Sequence, residues 1–223
     1  MEKIAKSLGG GKSLIILSAV IAVAYFPAFN RHSSAADHKH ENKVSNEQDI
    51  PAGTLPGGPF TLVDHKGRTV TDKDFRGSFL LVSFGYTHCP DVCPLTLAQV
   101  SATLKRLGKD ARYVRPLFIT VDSERDTPEV LASYVKAFHP AIIGLTGTPQ
   151  QIRSVTKAYN AYYAKVPLKT AGKVSYPSHY KVDHTSFIYL MGSNGSFVDV
   201  FGFKTSPQKM ADKIREELKK ERS

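Results

Sequence analysis

Only two cysteines occur in the chain, and both fall in one short stretch, FGYTHCPDVCP, where Cys89 and Cys93 are separated by three residues and each is followed by a proline. A pair this close closes almost no loop, so as a cross-link it would take little entropy from the unfolded chain. Two thiols also cannot staple a chain of 223 residues at several points. The fold must therefore rest on a hydrophobic core, for which an apolar fraction of 41% suffices, and the thiols are left for chemistry.

The N-terminus is set apart from that core. Lys3, Lys6 and Lys12 outweigh Glu2 and precede SLIILSAVIAVAYFPAF, an uncharged run near the lower limit for crossing a bilayer. The run is longer than most signal-peptide cores, and the small-residue site at Ala35 and Ala36 lies well past its end, so it reads as an uncleaved signal-anchor rather than a cleaved signal. The expected organisation is a short cytoplasmic N-terminus over 1–12, a transmembrane signal-anchor over 13–29, a flexible linker over 30–57, and a domain over 58–223 on the far side of the membrane. The linker's His32, His38 and His40 read as solvated. No cysteine lies near the end of the apolar run, which excludes a bacterial lipid anchor. An exported thiol pair meets an oxidising compartment and rests as a disulfide unless a metal or a reductant holds it. The net charge of +10 owes part to the stretch Lys204–Arg222, which reads as a solvated helix face, with docking to an acidic partner or a membrane surface as the alternative. Nothing interleaves basic and aromatic residues as a nucleic-acid surface would.

From Phe60 onward the pattern is that of a packed domain. FTLVDHKGRTVT predicts a hairpin turning near Lys66-Gly67, and FLLVSFGY, apolar throughout, predicts a buried central strand running straight into the cysteines. Leu97, Val100, Leu104 and Leu107 share one face of a helix that Gly108 stops, and YVRPLFITVD is a second buried strand. Thr127-Pro128, Thr148-Pro149 and Ser206-Pro207 each offer an N-cap with proline in the first turn, and Gln151 adds a capping box to Thr148. TSFIYLM and SFVDVFGF flank Gly192-Ser193-Asn194-Gly195 as a second hairpin. The predicted order is hairpin, β, α, β, α, short β, α, long loop, β-hairpin, α: a thioredoxin-like α/β domain. Ligands of open α/β sheets sit at the carboxyl ends of the strands, where this order puts the cysteines.

Thiols four apart on an opening helical turn face the same way and lie within reach of a disulfide or of one metal ion. The helix N-terminus favours thiolate. Two thiolates leave a metal site incomplete, so a third donor is needed among His65, His88, His139, His179 and His184. His65 belongs to the early hairpin, His88 would point away from Cys89, and His139 looks like a helix end. His184 opens HTSFIYL, read as the strand of the second hairpin, and so faces the cysteine loop. Asp183 beside it and Asp122 at the end of its strand are candidates for orienting the ligands. Two thiolates and an imidazole suit Cu(I), leave room for a fourth donor on Cu(II), and equally describe a catalytic zinc site. The segment KVPLKTAGKVSYPSHYKVD ahead of His184 is expected to be mobile and to be ordered by metal.

FGYTHCPDVCP, TVDSERDTPEVLASYVKAF and VDHTSFIYLM closely resemble the Sco/SenC family of membrane-anchored copper proteins, in order and spacing from about Phe60 to Leu218. The resemblance implies a thioredoxin-like domain that binds copper through residues matching Cys89, Cys93 and His184. It further implies a part in assembling the CuA centre of cytochrome c oxidase, by delivering copper or by reducing the cysteines that will hold it. The expected partners are the CuA-bearing oxidase subunit or another copper chaperone, and no nucleic acid. The expected location is a bacterial inner membrane with the domain in the periplasm, the alternative being a mitochondrial inner membrane facing the intermembrane space. Whether such a carrier also acts as an enzyme stays open. A thiol-disulfide oxidoreductase or thiol peroxidase, in which Cys89 attacks and Cys93 resolves, and a copper or redox sensor would use the same residues.

Overall fold

The structure, a computed structural model, describes residues 55–170, 173, 174 and 180–223. The cytoplasmic N-terminus, the anchor at 13–29 and nearly all of the linker lie outside the described residues, as does His179. No helix among the described residues is long and apolar enough to cross a membrane.

The chain opens with β1 (Thr61–Asp64) and β2 (Thr69–Thr71), paired antiparallel around Gly67, whose φ of 78° belongs to the left-handed region. Buried Asp64 closes this turn, accepting the backbone N–H groups of Lys66 and Arg68 at 2.9 Å and the Arg68 guanidinium at 2.6 Å. β3 (Phe79–Gly85) is buried at every position, as its unbroken apolar run requires, and α1 (Val92–Leu107) follows it, burying Leu97, Val100, Leu104 and Leu107. Next come β4 (Val114–Thr120), α2 (Pro128–Lys136), β5 (Ile143–Thr146) and α3 (Pro149–Ala158). Each expected cap is in place: Thr127 accepts from the Val130 N–H, Thr148 and Gln151 form the reciprocal box, and Ser206 accepts from the Lys209 N–H.

Seven strands make one mixed sheet in the order β11-β10-β3-β4-β5-β1-β2, where β10 is Ile188–Met191 and β11 is Phe197–Phe201. β3, β4 and β5 run parallel, and the remaining pairs are antiparallel. The terminal helix α4 (Pro207–Arg222) packs on α1, with the Thr103 hydroxyl 3.6 Å from the Met210 sulfur, while α2 lies against β5 and α3 against β1. This mixed α/β arrangement fits a thioredoxin-like fold. α4 buries Met210, Ala211, Ile214 and Leu218 and pairs its charges within itself, Lys213 with Glu217 at 2.9 Å and Lys220 with Glu216 at 2.6 Å. That is the solvated face the charge run suggested.

One expectation needs correcting. The stretch between α3 and the second hairpin, read as a long loop, carries β6 (Tyr163–Pro167), β7 (Lys169–Thr170), β8 (Lys173–Val174) and β9 (Tyr180–His184), in two ribbons of two strands each. β6 and β9 pair antiparallel with Tyr163 opposite His184 and Pro167 opposite Tyr180. His184 therefore ends β9 rather than opening the hairpin strand, which starts only at Ile188. Lysines, prolines and a partly exposed β6 break up the apolar signal, although Tyr180, Val182 and His184 do alternate with Lys181 and Asp183.

The carboxyl end of β3 is closely packed. A Cβ at Gly85 would stand 2.6 Å from the Cys93 sulfur and 2.7 Å from the Phe118 ring. Gly85→Ala is accordingly expected to overpack this point and to lower unfolding free energy by about 1–3 kcal/mol; urea melts giving the parental midpoint would show that the thiol has room to move.

Candidate metal centre

Cys93 lies in the first turn of α1, 1% exposed, against Gly85. Cys89 lies in the loop between β3 and α1, where its N–H returns to the Tyr86 carbonyl at 3.2 Å. The loop does not stand by itself. Thr87 donates both its backbone N–H (3.0 Å) and its hydroxyl (2.6 Å) to the carboxylate of Asp126, and Thr120, at the end of β4, donates its hydroxyl to the same group at 2.6 Å. Asp126 is 0% exposed, and these three donors satisfy its buried oxygens. Sequence reasoning missed Asp126; the signal was a second aspartate in DSERD that no exposed turn requires.

The third group arrives from β9. The Nδ1 of His184 sits 3.0 Å from the Thr185 carbonyl oxygen, which can only accept, so Nδ1 carries the proton and Nε2 presents a free lone pair. Nε2 is 3.2 Å from the Cys93 sulfur. The Tyr86 ring meets the imidazole edge-on, 5.7 Å away at 90°. The two sulfurs and an imidazole nitrogen all lie within 4.8 Å of one another. Cys89 and His184 border a cavity of 320 Å³, lined also by Tyr86, Val92 and Val182.

Asp122 and Asp183, the two acids considered for orienting the ligands, reach neither sulfur nor imidazole by any hydrogen bond among the described residues. Asp122 is buried, accepts the Tyr180 hydroxyl at 2.7 Å and is bonded to the Arg125 guanidinium. Asp183 is exposed and pairs with Lys181 at 3.1 Å, because side chains on a strand alternate and its neighbour His184 takes the inward face. Of the other histidines, His65 accepts the Gly144 N–H at 3.0 Å and ties β1 to β5, His139 accepts the Ala141 N–H at 3.1 Å, and His88 turns outward beside Thr87.

The thiols are not equivalent. A hydrogen bond from the Cys93 thiol is the largest influence on Cys89; with contributions from the Asp91 and Cys93 N–H groups it outweighs burial and holds Cys89 far below the ordinary thiol range. The same bond, with burial and the neighbouring charge, pushes Cys93 upward. The pair thus consists of a thiolate at Cys89 and a thiol at Cys93. In the reduced, metal-free protein, thiolate ultraviolet absorbance is expected to persist at about pH 6, where an ordinary thiol of pKa about 8.5 is under about 1% ionised, and to vanish in Cys89→Ser. Its loss well above that pH would contradict the assignment.

A family model described as SCO1/SenC matches residues 48–219. The protein named SCO2, mitochondrial, of Saccharomyces cerevisiae is 42% identical over 163 residues, covering 73% of this chain and 52% of that protein. The human protein named SCO1 homolog, mitochondrial, is 44% identical over 150 residues, covering 66% of this chain and 48% of that one. The chain thus spans about half the length of these relatives. Among solved structures, that of Bradyrhizobium japonicum ScoI with copper bound is 44% identical, with a TM-score of 0.66 over 73% of this chain and 99% of that one. The chain therefore belongs to the SCO1/SenC family.

Proposed function

We propose that this chain is a membrane-tethered copper carrier that holds the metal on Cys89, Cys93 and His184 and serves assembly of cytochrome c oxidase at its CuA centre. The observation that carries the reading is the convergence of two sulfurs with an imidazole Nε2 whose lone pair is left free by the bond at Nδ1. Donors about 2.0–2.3 Å from a shared ion stand about 3.5–4.5 Å apart, so the set fits an ion with little rearrangement. Two sulfurs and one nitrogen favour soft Cu(I) over harder ions. A pre-ionised Cys89 lowers the cost of capture, since only Cys93 has a proton to lose. The related ScoI holding copper supports the same choice of metal. Copper would leave by stepwise exchange onto the thiolates of the oxidase subunit or of another chaperone. The uncharged run at 13–29 supplies the tether, in a bacterial inner membrane with the domain in the periplasm or in the corresponding mitochondrial membrane.

A second duty on the same thiols is favoured by their unequal protonation. The Cys89 thiolate would attack one sulfur of a partner disulfide and release the other as thiolate. Cys93, on losing its proton, would then attack Cys89 in the mixed disulfide, leaving the partner a dithiol and this chain a disulfide. The reaction needs no metal and no third ligand, which separates it from the copper reading.

Anaerobic titration of the reduced protein with Cu(I) against a competing chelator tests the choice. One tight equivalent is expected, lost in Cys89→Ser and Cys93→Ser. In His184→Ala it should weaken by more than the roughly 10–100-fold typical of losing an outer partner. Binding indifferent to His184 would transfer the proposal to thiol-disulfide exchange. Peroxide turnover surviving in His184→Ala would point to a thiol peroxidase.

A further inference from the structure

Among the described residues, the ribbon that carries His184 has no hydrogen-bonded place in the seven-stranded sheet: β6 and β9 pair with each other and with no other strand. A two-stranded ribbon is marginal in isolation. Something must therefore fix it against the thiol loop, and the contacts that do so converge on one turn, Asp122–Asp126, directly after β4. Asp122 accepts the Tyr180 hydroxyl at 2.7 Å, and Arg125, bonded to Asp122, lays its guanidinium 3.8 Å from the centre of the Tyr180 ring and reaches the Tyr180 carbonyl at 3.3 Å. Glu124 pairs with Lys165 of β6 at 2.7 Å. From the thiol side, the Tyr86 ring meets the His184 imidazole edge-on at 5.7 Å. The far end of the same turn is Asp126, which grips Thr87 ahead of Cys89.

One turn thus holds both halves of the metal centre. We propose that Asp122 and Arg125 are positioning residues: they clamp Tyr180, the first residue of β9, so that the last residue of that strand, His184, is presented to the two sulfurs. The lever spans four residue steps from Tyr180 to His184, about 13 Å at the usual strand rise of about 3.3 Å per residue, and β6 pairs with it along its whole length. Of the clamp's bonds, those made by buried Asp122 carry the most weight, because a desolvated carboxylate gains more from its donors than the exposed Glu124–Lys165 pair can. The proposal rests on His184 as a copper ligand.

A double-mutant cycle tests it. Tyr180→Phe keeps the ring and removes the bond to Asp122; Arg125→Lys keeps the charge and removes the fork. Measured by Cu(I) competition on the full-length protein, each is expected to weaken binding about tenfold in the parent and to have no further effect in His184→Ala, since the clamp acts only through that side chain. In the metal-free protein, amide exchange at Val182 and His184 should quicken in both variants while β3 and β4 keep parental rates. Losses that add to that of His184→Ala, or unchanged exchange on β9, would overturn the clamp. If His184→Ala itself leaves copper affinity unaltered, the ligand assignment fails instead, and the exchange rates still judge the clamp.

Discussion

The parallel pairing of β3 with β4 decides where everything else can be. Its register runs without interruption from Phe79 opposite Val114 to Gly85 opposite Thr120, so both strands end at one level. The Val121 N–H then caps the Gly85 carbonyl at 2.8 Å. Two turns leave the sheet from that shared edge, one bearing the thiols and the other the run Asp122–Asp126. Because they leave side by side, a single carboxylate, Asp126, can bridge Thr87 and Thr120. The cysteine loop is therefore shaped by the neighbouring strand as much as by its own prolines.

What the sequence discloses follows from the strength of each signal. β3 and β4 are legible because strands covered on both faces read as unbroken apolar runs, and α2, α3 and α4 because a hydroxyl followed by proline is a start signal with its own mechanism. The β6–β9 ribbon is not, since a two-stranded sheet exposed on one side carries half as many apolar positions and here interrupts them with Lys165, Pro167 and Lys181. Its alternation is present, but too short to stand out from a loop.

The site divides in the same way. Cys89 and Cys93 announce themselves by scarcity and spacing, and His184 by elimination among the histidines and by the family resemblance. Asp122 stands out by its place at a strand end, yet its partners, Tyr180 and Arg125, lie where no local pattern points. Tyr180 is 58 residues away, and Arg125 passes for one of many surface charges until its guanidinium is found on an aromatic face. Asp126 is hidden for the related reason that a buried carboxylate and a solvated one are the same letter. Contacts made across the fold by charged side chains are what a linear reading loses first.

The pairing of β6 with β9 has a chemical meaning beyond shape. Along β9 the inward residues are Tyr180, Val182 and His184, and the outward ones Lys181 and Asp183. A slip of one position would turn every side chain to the other face, setting the carboxylate of Asp183 towards the sulfurs and the imidazole in water. Two thiolates with a carboxylate make a harder and more negative donor set, suited to other ions. In this chain the donor set that faces the cavity is thus written partly in strand register, by the Thr185 N–H on the Tyr162 carbonyl at 2.9 Å and by a proline, Pro167, that has no N–H to offer a shifted partner.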